Sequence, residues 1–447
     1  MWSCPRNRLR PLNSPARPTK AGLTTLSDDA LLDRLQRGAF AYFEDYTSAG
    51  NGLVADTSRP GSPCSIAVVG FALSCYPIAV HRGWLSRDVA AARTLKALRF
   101  FSNSEQTEEA DATGFKGFYY HFLDMHTGRR VWQCELSLID TALLVSGIVT
   151  AGCYFDGDGN EPHIRALSES LYRRIDWSWA LNGGKTLAQG WMPGCGFLHY
   201  GWEGYNEATI LYILGVASPT FPLPSESFAG WTFTYQWENL LGQNLLYSGP
   251  LFTHLFSHAW IDFRSIRDQF MREKNADYFE NTKKAVAVQR DYCARNPHGF
   301  EAYDRNLWGI TAGDGPNNQD MRKKSRDRRF YGYMSRGVPY GPDDGTIAPW
   351  AMLASLPFNP DAALQGIRYL LEQYPQVCSN DRLSSGFNPS LVEDGRAWLS
   401  TGWYGLDQGL LVMMIENHRT GFLWDITRGS DIFRTGLRRA GFEGGWL

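Results

Sequence analysis

The sequence predicts an all-α fold and, within that class, an (α/α)6 barrel, a closed toroid of six helical hairpins. Three observations predict it. Helical segments of two kinds alternate along the chain, the oily kind recurs at a near-regular interval, and each oily segment is entered through a loop dense in glycine, aromatics and carboxylates.

The amphipathic kind begins with DDALLDRLQRGAFAYFEDY. It continues with SRDVAAARTLKALRFF, EPHIRALSESLYRRIDW, NADYFENTKKAVAVQRDYC, PDAALQGIRYLLEQY and SDIFRTGLRRA. Apolar residues recur at i, i+3, i+4 and i+7, as in an outer helix with one solvated face. The oily kind comprises SIAVVGFALSCYPIAV, IDTALLVSGIVTAG, EATILYILGVAS, TIAPWAMLASL and DQGLLVMMIEN. A helix with no polar face is surrounded by protein.

The oily segments begin at about 63, 137, 204, 346 and 407, roughly 60 to 75 residues apart except for one doubled gap. That gap leaves room for a sixth around LLYSGPLFTHLFSHAW. A linear solenoid is the rival reading, but it shows a shorter, stricter repeat. No Pro/Ser-rich linker interrupts the pattern, so one domain is expected over 26–447. Residues 1–25 are basic and proline-rich and read as a disordered tail without the apolar core of a secretory signal.

Hydrophobic residues make up 43% of the 447 and charged residues 20%, which is the balance of a globular protein. Lys plus Arg is 44 against 46 Asp plus Glu, so nothing calls for nucleic acid or an anionic membrane as partner. The basic run KKSRDRR reads as a solvated loop, and no apolar run reaches the length of a membrane span. The eight cysteines form no CxxC or His/Cys cluster. Those inside oily runs read as small buried hydrophobes, and no metal site is expected. His254 and His258, spaced i, i+4, lack a third ligand and read as satisfied histidines. FDGDGNE lacks the twelve-residue calcium pattern and reads as a turn.

The aromatic content, 14%, suits a protein that stacks the flat faces of sugars. The loops that enter the oily helices are DTSRPGSPCS, VWQCELSLIDT, HYGWEGYNEA, GPDDGTIAP and TGWYGLDQG. If these helices run parallel, the loops gather Arg59, Glu135, Asp140, Glu207, Asp343, Asp344 and Asp407 with several aromatics at one end. Glycoside hydrolysis needs one protonated and one ionised carboxyl, and this arrangement supplies candidates. Glu207 reads equally as a proton donor or as a helix-start carboxylate. Asp314, Asp344 and Asp407 read equally as sugar contacts or as turn and cap formers. Arg59 binds sugar or ties its loop to a carboxylate. Trp202, Tyr205, Trp308 and Trp403 sit in glycine-containing loops, where stacking on sugar is the expectation.

Several longer motifs carry a resemblance. WEGYNEATILYIL, ASPTFPLP, GPLFTHLFSHAWIDFR, WGITAGDGP, PYGPDDGTIAPWAMLASLP and GWYGLDQGLLVMMIENHRTGF make residues 28–430 similar to the bacterial glucoamylase-like proteins. That group includes the β-1,2-glucanases of glycoside hydrolase family 144. The resemblance implies a cofactor-independent barrel that cleaves β-1,2-glucan with inversion, an exo-acting or retaining relative being the alternative. It implies Glu207 as general acid, Asp140 or Glu135 as the assisting carboxylate, and a periplasmic location. Sugar contacts are expected from Arg59, Trp202, Tyr205, Asn206, Phe252, His254, Trp308, Asp314, Asp344, Trp403, Tyr404 and Asp407. An epimerase or a non-catalytic sugar-binding protein on the same barrel is the remaining alternative. The sequence does not set the oligomeric state.

Overall fold

The computed structural model describes residues 22–316, 329–393 and 395–447. Most of the predicted tail and residues 323–328 of KKSRDRR lie outside them. Leu23 and Leu26 already pack on the core, so the folded chain reaches slightly beyond the predicted start.

The helices follow the two predicted kinds. Helix α1 (Asp28–Asp45) starts at Ser27, whose hydroxyl accepts from Ala30 N–H at 3.3 Å. Helix α2 (Ile66–His81) is buried continuously from Ile66 to Ala79. Helix α3 (Arg87–Asn103) keeps one solvated face, whereas α4 (Leu138–Tyr154) is buried from Leu138 to Ala151. Next come amphipathic α5 (Glu161–Arg173), fully buried α6 (Thr209–Ala217), α7 (Ser225–Thr232), α8 (Gln269–Glu273) and α9 (Tyr278–Arg295). The chain closes with buried α10 (Pro349–Ala354), amphipathic α11 (Pro360–Gln373), buried α12 (Gly405–Arg419), α13 (Phe422–Arg428) and α14 (Asp431–Arg439).

The buried helices form a row in which α10 packs on α12, α12 on α2, α2 on α4 and α4 on α6. Outside this row, α1 lies on α12, α5 on α4, α11 on α10 and α14 on α6. Close approach within the row needs small residues. A side chain at Gly147 of α4 would strike the backbone of Gly70 on α2, and one at Gly70 would strike that of Leu143. One contiguous core runs from Leu31 to Phe442.

Three expectations are corrected. The segment around LLYSGPLFTHLFSHAW, expected to hold a sixth oily helix, forms two 3-10 turns instead, Leu251–His254 and Ser257–Ala259. Its first N–H groups are drawn sideways, Leu251 to Ile310 O at 3.3 Å and Phe252 to Thr311 Oγ1 at 2.8 Å. Cys153, at the end of α4, is exposed rather than buried. Helix α12 is not purely oily, because Glu416 is fully buried within it. Its carboxylate accepts from Arg82 Nε at 2.6 Å and from Gln36 Nε2 at 2.9 Å, tying α2 and α1 to α12.

The fold is helix-rich rather than wholly helical. A five-stranded antiparallel sheet runs in the order Gly114–Phe115, Phe118–Tyr120, Leu136–Ser137, Gly190–Met192, Gly196–Phe197. Its central strand leads directly into α4, and Ser137 serves as both last strand residue and N-cap. Another short pair, Cys64–Ser65 with Phe122–Leu123, leads into α2. These strands fix the mouths of two buried helices against each other.

Candidate active site

A cavity of about 460 Å³ opens where the starting ends of α4, α6 and α12 meet. Its size suits a small ligand. Two hollows of about 620 and 490 Å³ lie elsewhere, one along α3 and one between α5 and α14. Only the 460 Å³ cavity gathers Glu135, Asp140, Glu207 and Asp407.

Glu207 lies one residue before Ala208, the N-cap of α6, and the backbone N–H its carboxyl accepts from is its own rather than one of the helix. A pure capping role is therefore not what this structure shows. Burial pushes its carboxyl up to about 7; the charge of Asp140 adds to this, and a backbone hydrogen bond opposes it. Glu207 stays partly open to solvent through the cavity. Such a group holds a proton near neutral pH and can still reach a ligand.

In the same cavity, His121 stands between two carboxylates. Its Nδ1 is 2.9 Å from Glu135 Oε1 and its Nε2 is 3.5 Å from Asp140 Oδ2. Burial pulls His121 down, but Asp140, Glu135 and Asp56 outweigh this and hold it at about 9. Burial would raise Glu135, yet the hydrogen bond and charge of His121 reverse the effect and leave it below the ordinary value. Asp140 also accepts from the Ser137 hydroxyl at 2.5 Å. One side-chain N or O atom from each of His121, Glu135 and Asp140 lies within 4.8 Å of the others. Both ring nitrogens already face carboxylate oxygens, so the arrangement is satisfied as an ion pair.

Asp407, in the first turn of α12, is buried and raised well above the usual carboxylate range, first by burial and then by Asp56 and Asp314. Next to it lies a polar network. Arg59 pairs with Asp314 and donates to the Tyr404 hydroxyl at 3.0 Å, while Ser400 donates to Asp314 at 2.7 Å. The Tyr404 ring lies 5.9 Å from that of Tyr333, which lines the cavity and is 64% exposed.

The cavity wall thus holds Glu135, Asp140, Glu207, Asp407, Trp202 and Phe252 of the expected residues, with Arg59, Asp314 and Tyr404 adjoining. Others are placed elsewhere. Trp308 is fully buried and offers no face to a sugar. Asp344 is buried against Arg336, accepting from its Nε at 2.8 Å and Nη2 at 2.9 Å, and serves the fold. His254 is buried, its Nε2 3.1 Å from Ser248 O, and burial lowers it to about 4. Tyr205 packs on His254 and Tyr278 at 5.0 and 5.7 Å. Asn206 accepts from Ala208 N–H at 2.9 Å, a local turn contact, and Trp403 lies over Arg382, 5.1 Å to its ring.

Sequence reading missed His121, Asp56 and Tyr333. His121 lies in YYHFLDM, outside every helix-entry loop, and is brought in by the sheet. Asp56 opens the DTSRPGSPCS loop, where nothing in the local pattern sets it apart from a turn-forming aspartate. Burial and then Asp140 raise it to about 6 against the opposing pull of His121 and Arg59.

Residues 199–431, just over half of the chain, match the Glycoamylase family model, described as "putative glucoamylase". The chain belongs to this family. A crystal structure from Bacteroides uniformis ATCC 8492, described in the same words, superimposes with a TM-score of 0.83 at 29% identity. It covers 95% of this chain and 99% of its own. An endo-β-1,2-glucanase from Chitinophaga pinensis, in complex with sophorotriose and glucose, gives 0.82 at 25% identity, covering 95% and 100%. An exo β-1,2-glucooligosaccharide sophorohydrolase (non-reducing end) from Parabacteroides distasonis is 26% identical over 451 residues. The match takes in 93% of this chain but only 58% of that relative's length.

Proposed function

We propose that this chain is a glycoside hydrolase that cleaves β-1,2-linked glucan or its oligosaccharides, with Glu207 as general acid. The observation that carries the reading is one cavity in which Glu207 is held near 7 while Glu135 is held below its ordinary value. Two carboxyls pushed apart in this way supply the acid and base of glycoside cleavage. The sugar-linkage part is supported by the relatives from C. pinensis and P. distasonis.

In the proposed reaction Glu207 gives its proton to the leaving glycosidic oxygen. Glu135 and Asp140 together orient the attacking water and take up its proton, and the anomeric carbon inverts. Arg59, Asp314 and Tyr404 hold sugar hydroxyls at one side, and Trp202, Phe252 and Tyr333 offer ring faces. The scaffold in this reading is an (α/α)6 barrel. In this reading the two 3-10 turns, Leu251–His254 and Ser257–Ala259, take the sixth inner position, joined to the start of α6 through Ser257.

The test is product release from linear β-1,2-glucan against β-1,3-, β-1,4- and α-1,4-glucans, with the product anomer followed by NMR. Sophoro-oligosaccharides or sophorose from the first substrate only, released as the α-anomer, are expected. Release from another glucan instead replaces the substrate, and a β-anomer replaces the inverting course.

A further inference from the structure

We infer that His121 is a positioning residue whose imidazolium, clamped between Glu135 and Asp140, keeps the base side of the cavity ionised beside a protonated Glu207. The inference rests on the glycosidase reading for its catalytic consequence, and on geometry for the charge itself.

A neutral imidazole carries one N–H and one bare nitrogen. His121 presents both nitrogens to carboxylate oxygens, at 2.9 Å and 3.5 Å. Ionised carboxylates only accept, so both contacts are attractive when both nitrogens are protonated. The groups facing the ring act in the same direction, since Glu135 and Asp140 flank it and Asp56 adds a third negative charge. The positive charges of Arg130 and Arg59 act on Glu135 and Asp56 respectively, lowering each.

The ring is also held in place. The backbone N–H of His121 donates to Glu135 O at 3.0 Å, and its carbonyl accepts from Ile66 N–H at 3.3 Å. The imidazole stacks on Phe122 at 3.9 Å with an interplanar angle of 13°. These contacts lock His121 to the mouths of α2 and α4, so its charge is fixed relative to Asp140. Substrate is bound and cleaved by the carboxyls, and His121 keeps its own proton throughout.

The experiment follows three titrations: the His121 ring by 15N NMR, the Glu135 carboxyl by 13C NMR, and kcat/KM against pH. Each is run for the wild type and His121→Gln, which removes the charge. The expected results are a His121 midpoint above 8, and a Glu135 midpoint that rises in His121→Gln by roughly one to three pH units. The acidic limb of kcat/KM rises with it. A His121 midpoint near 6.5, or a Glu135 midpoint unmoved by the substitution, overturns the inference. Should His121→Gln fail to fold, Glu135→Gln replaces it and must lower the His121 midpoint by at least one unit. Both NMR midpoints are read without substrate. A wild type inactive on every glucan therefore removes the glycosidase reading while the midpoints still decide the charge.

Discussion

The Ser257 hydroxyl donates to the Glu207 carbonyl oxygen at 3.1 Å and accepts from Ile210 N–H at 3.3 Å. A side chain from a neighbouring 3-10 turn thus does for α6 what an N-cap does elsewhere, because Ala208 at the cap position has no side chain to offer. Glu207 is held by its backbone while its carboxyl stays free for chemistry.

Ser257→Ala removes both contacts and leaves a buried N–H without its partner. Loss of stability of about 1 to 2 kcal/mol is expected in denaturant unfolding. In the proposed reaction kcat falls by several-fold, since Glu207 loses its anchor, while KM changes less.

Glu207 carries a pH signature of its own. Its folded value of about 7 lies above the ordinary 4.5. Between the two, the unfolded chain has lost a proton that the folded chain keeps, so stability falls as pH rises from about 4.5 to about 7 and stays lowered above. Glu207→Gln abolishes this slope. At pH 8 the variant is expected to gain on the order of 3 kcal/mol over the wild type, and at pH 4 almost nothing. Equal stability at both values contradicts the raised carboxyl.

Trp132 is 68% exposed, and both it and Gln133 adopt left-handed backbone, with φ of 56° and 50°. Its ring lies 5.1 Å from Phe122, which stacks on His121. Strained backbone that presents a bare ring beside a pocket is the form of a ligand clamp. Trp132→Ala is expected to leave the melting temperature unchanged and to weaken cleavage of longer β-1,2-oligosaccharides by about five-fold, the worth of one stacked ring. The same loss for every chain length would contradict a platform outside the cavity.

Glu416 tests the scaffold. It is the acceptor shared by Arg82 and Gln36 inside the row of buried helices. Glu416→Ala leaves the guanidinium without its partner and is expected to cost about 3 to 5 kcal/mol by chemical denaturation. Whatever folds retains its pH profile, since Glu416 lies on the far turns of α12 from Asp407.

Much of this was legible in hydrophobic pattern. The runs entering α2, α4, α6, α10 and α12 announced buried helices, and the outer helices showed their charged faces, because helical period survives in any sequence that must bury one side. Asp140 and Glu207 were legible because each stands at the mouth of an oily run. His121 was not, since its place depends on a long-range pairing, Tyr119 with Ser137 and Tyr120 with Leu136. Trp308 and Asp344 misled for the converse reason. Loop aromatics and loop carboxylates look alike in sequence whether they face a ligand or, as here, the core and Arg336. Glu416 was read as part of an oily helix because a buried ion pair leaves no local pattern.

The most direct test of the central claim, that Glu207 is the proton donor, compares the wild type with Glu207→Gln on two substrates. One is linear β-1,2-glucan, whose leaving group needs a proton; the other is 2,4-dinitrophenyl β-sophoroside, whose leaving group does not. A loss of about 10² to 10⁴ in kcat on the glucan, with little loss on the aryl glycoside, is the predicted result. Equal losses on both substrates, with the fold intact by circular dichroism, would contradict it.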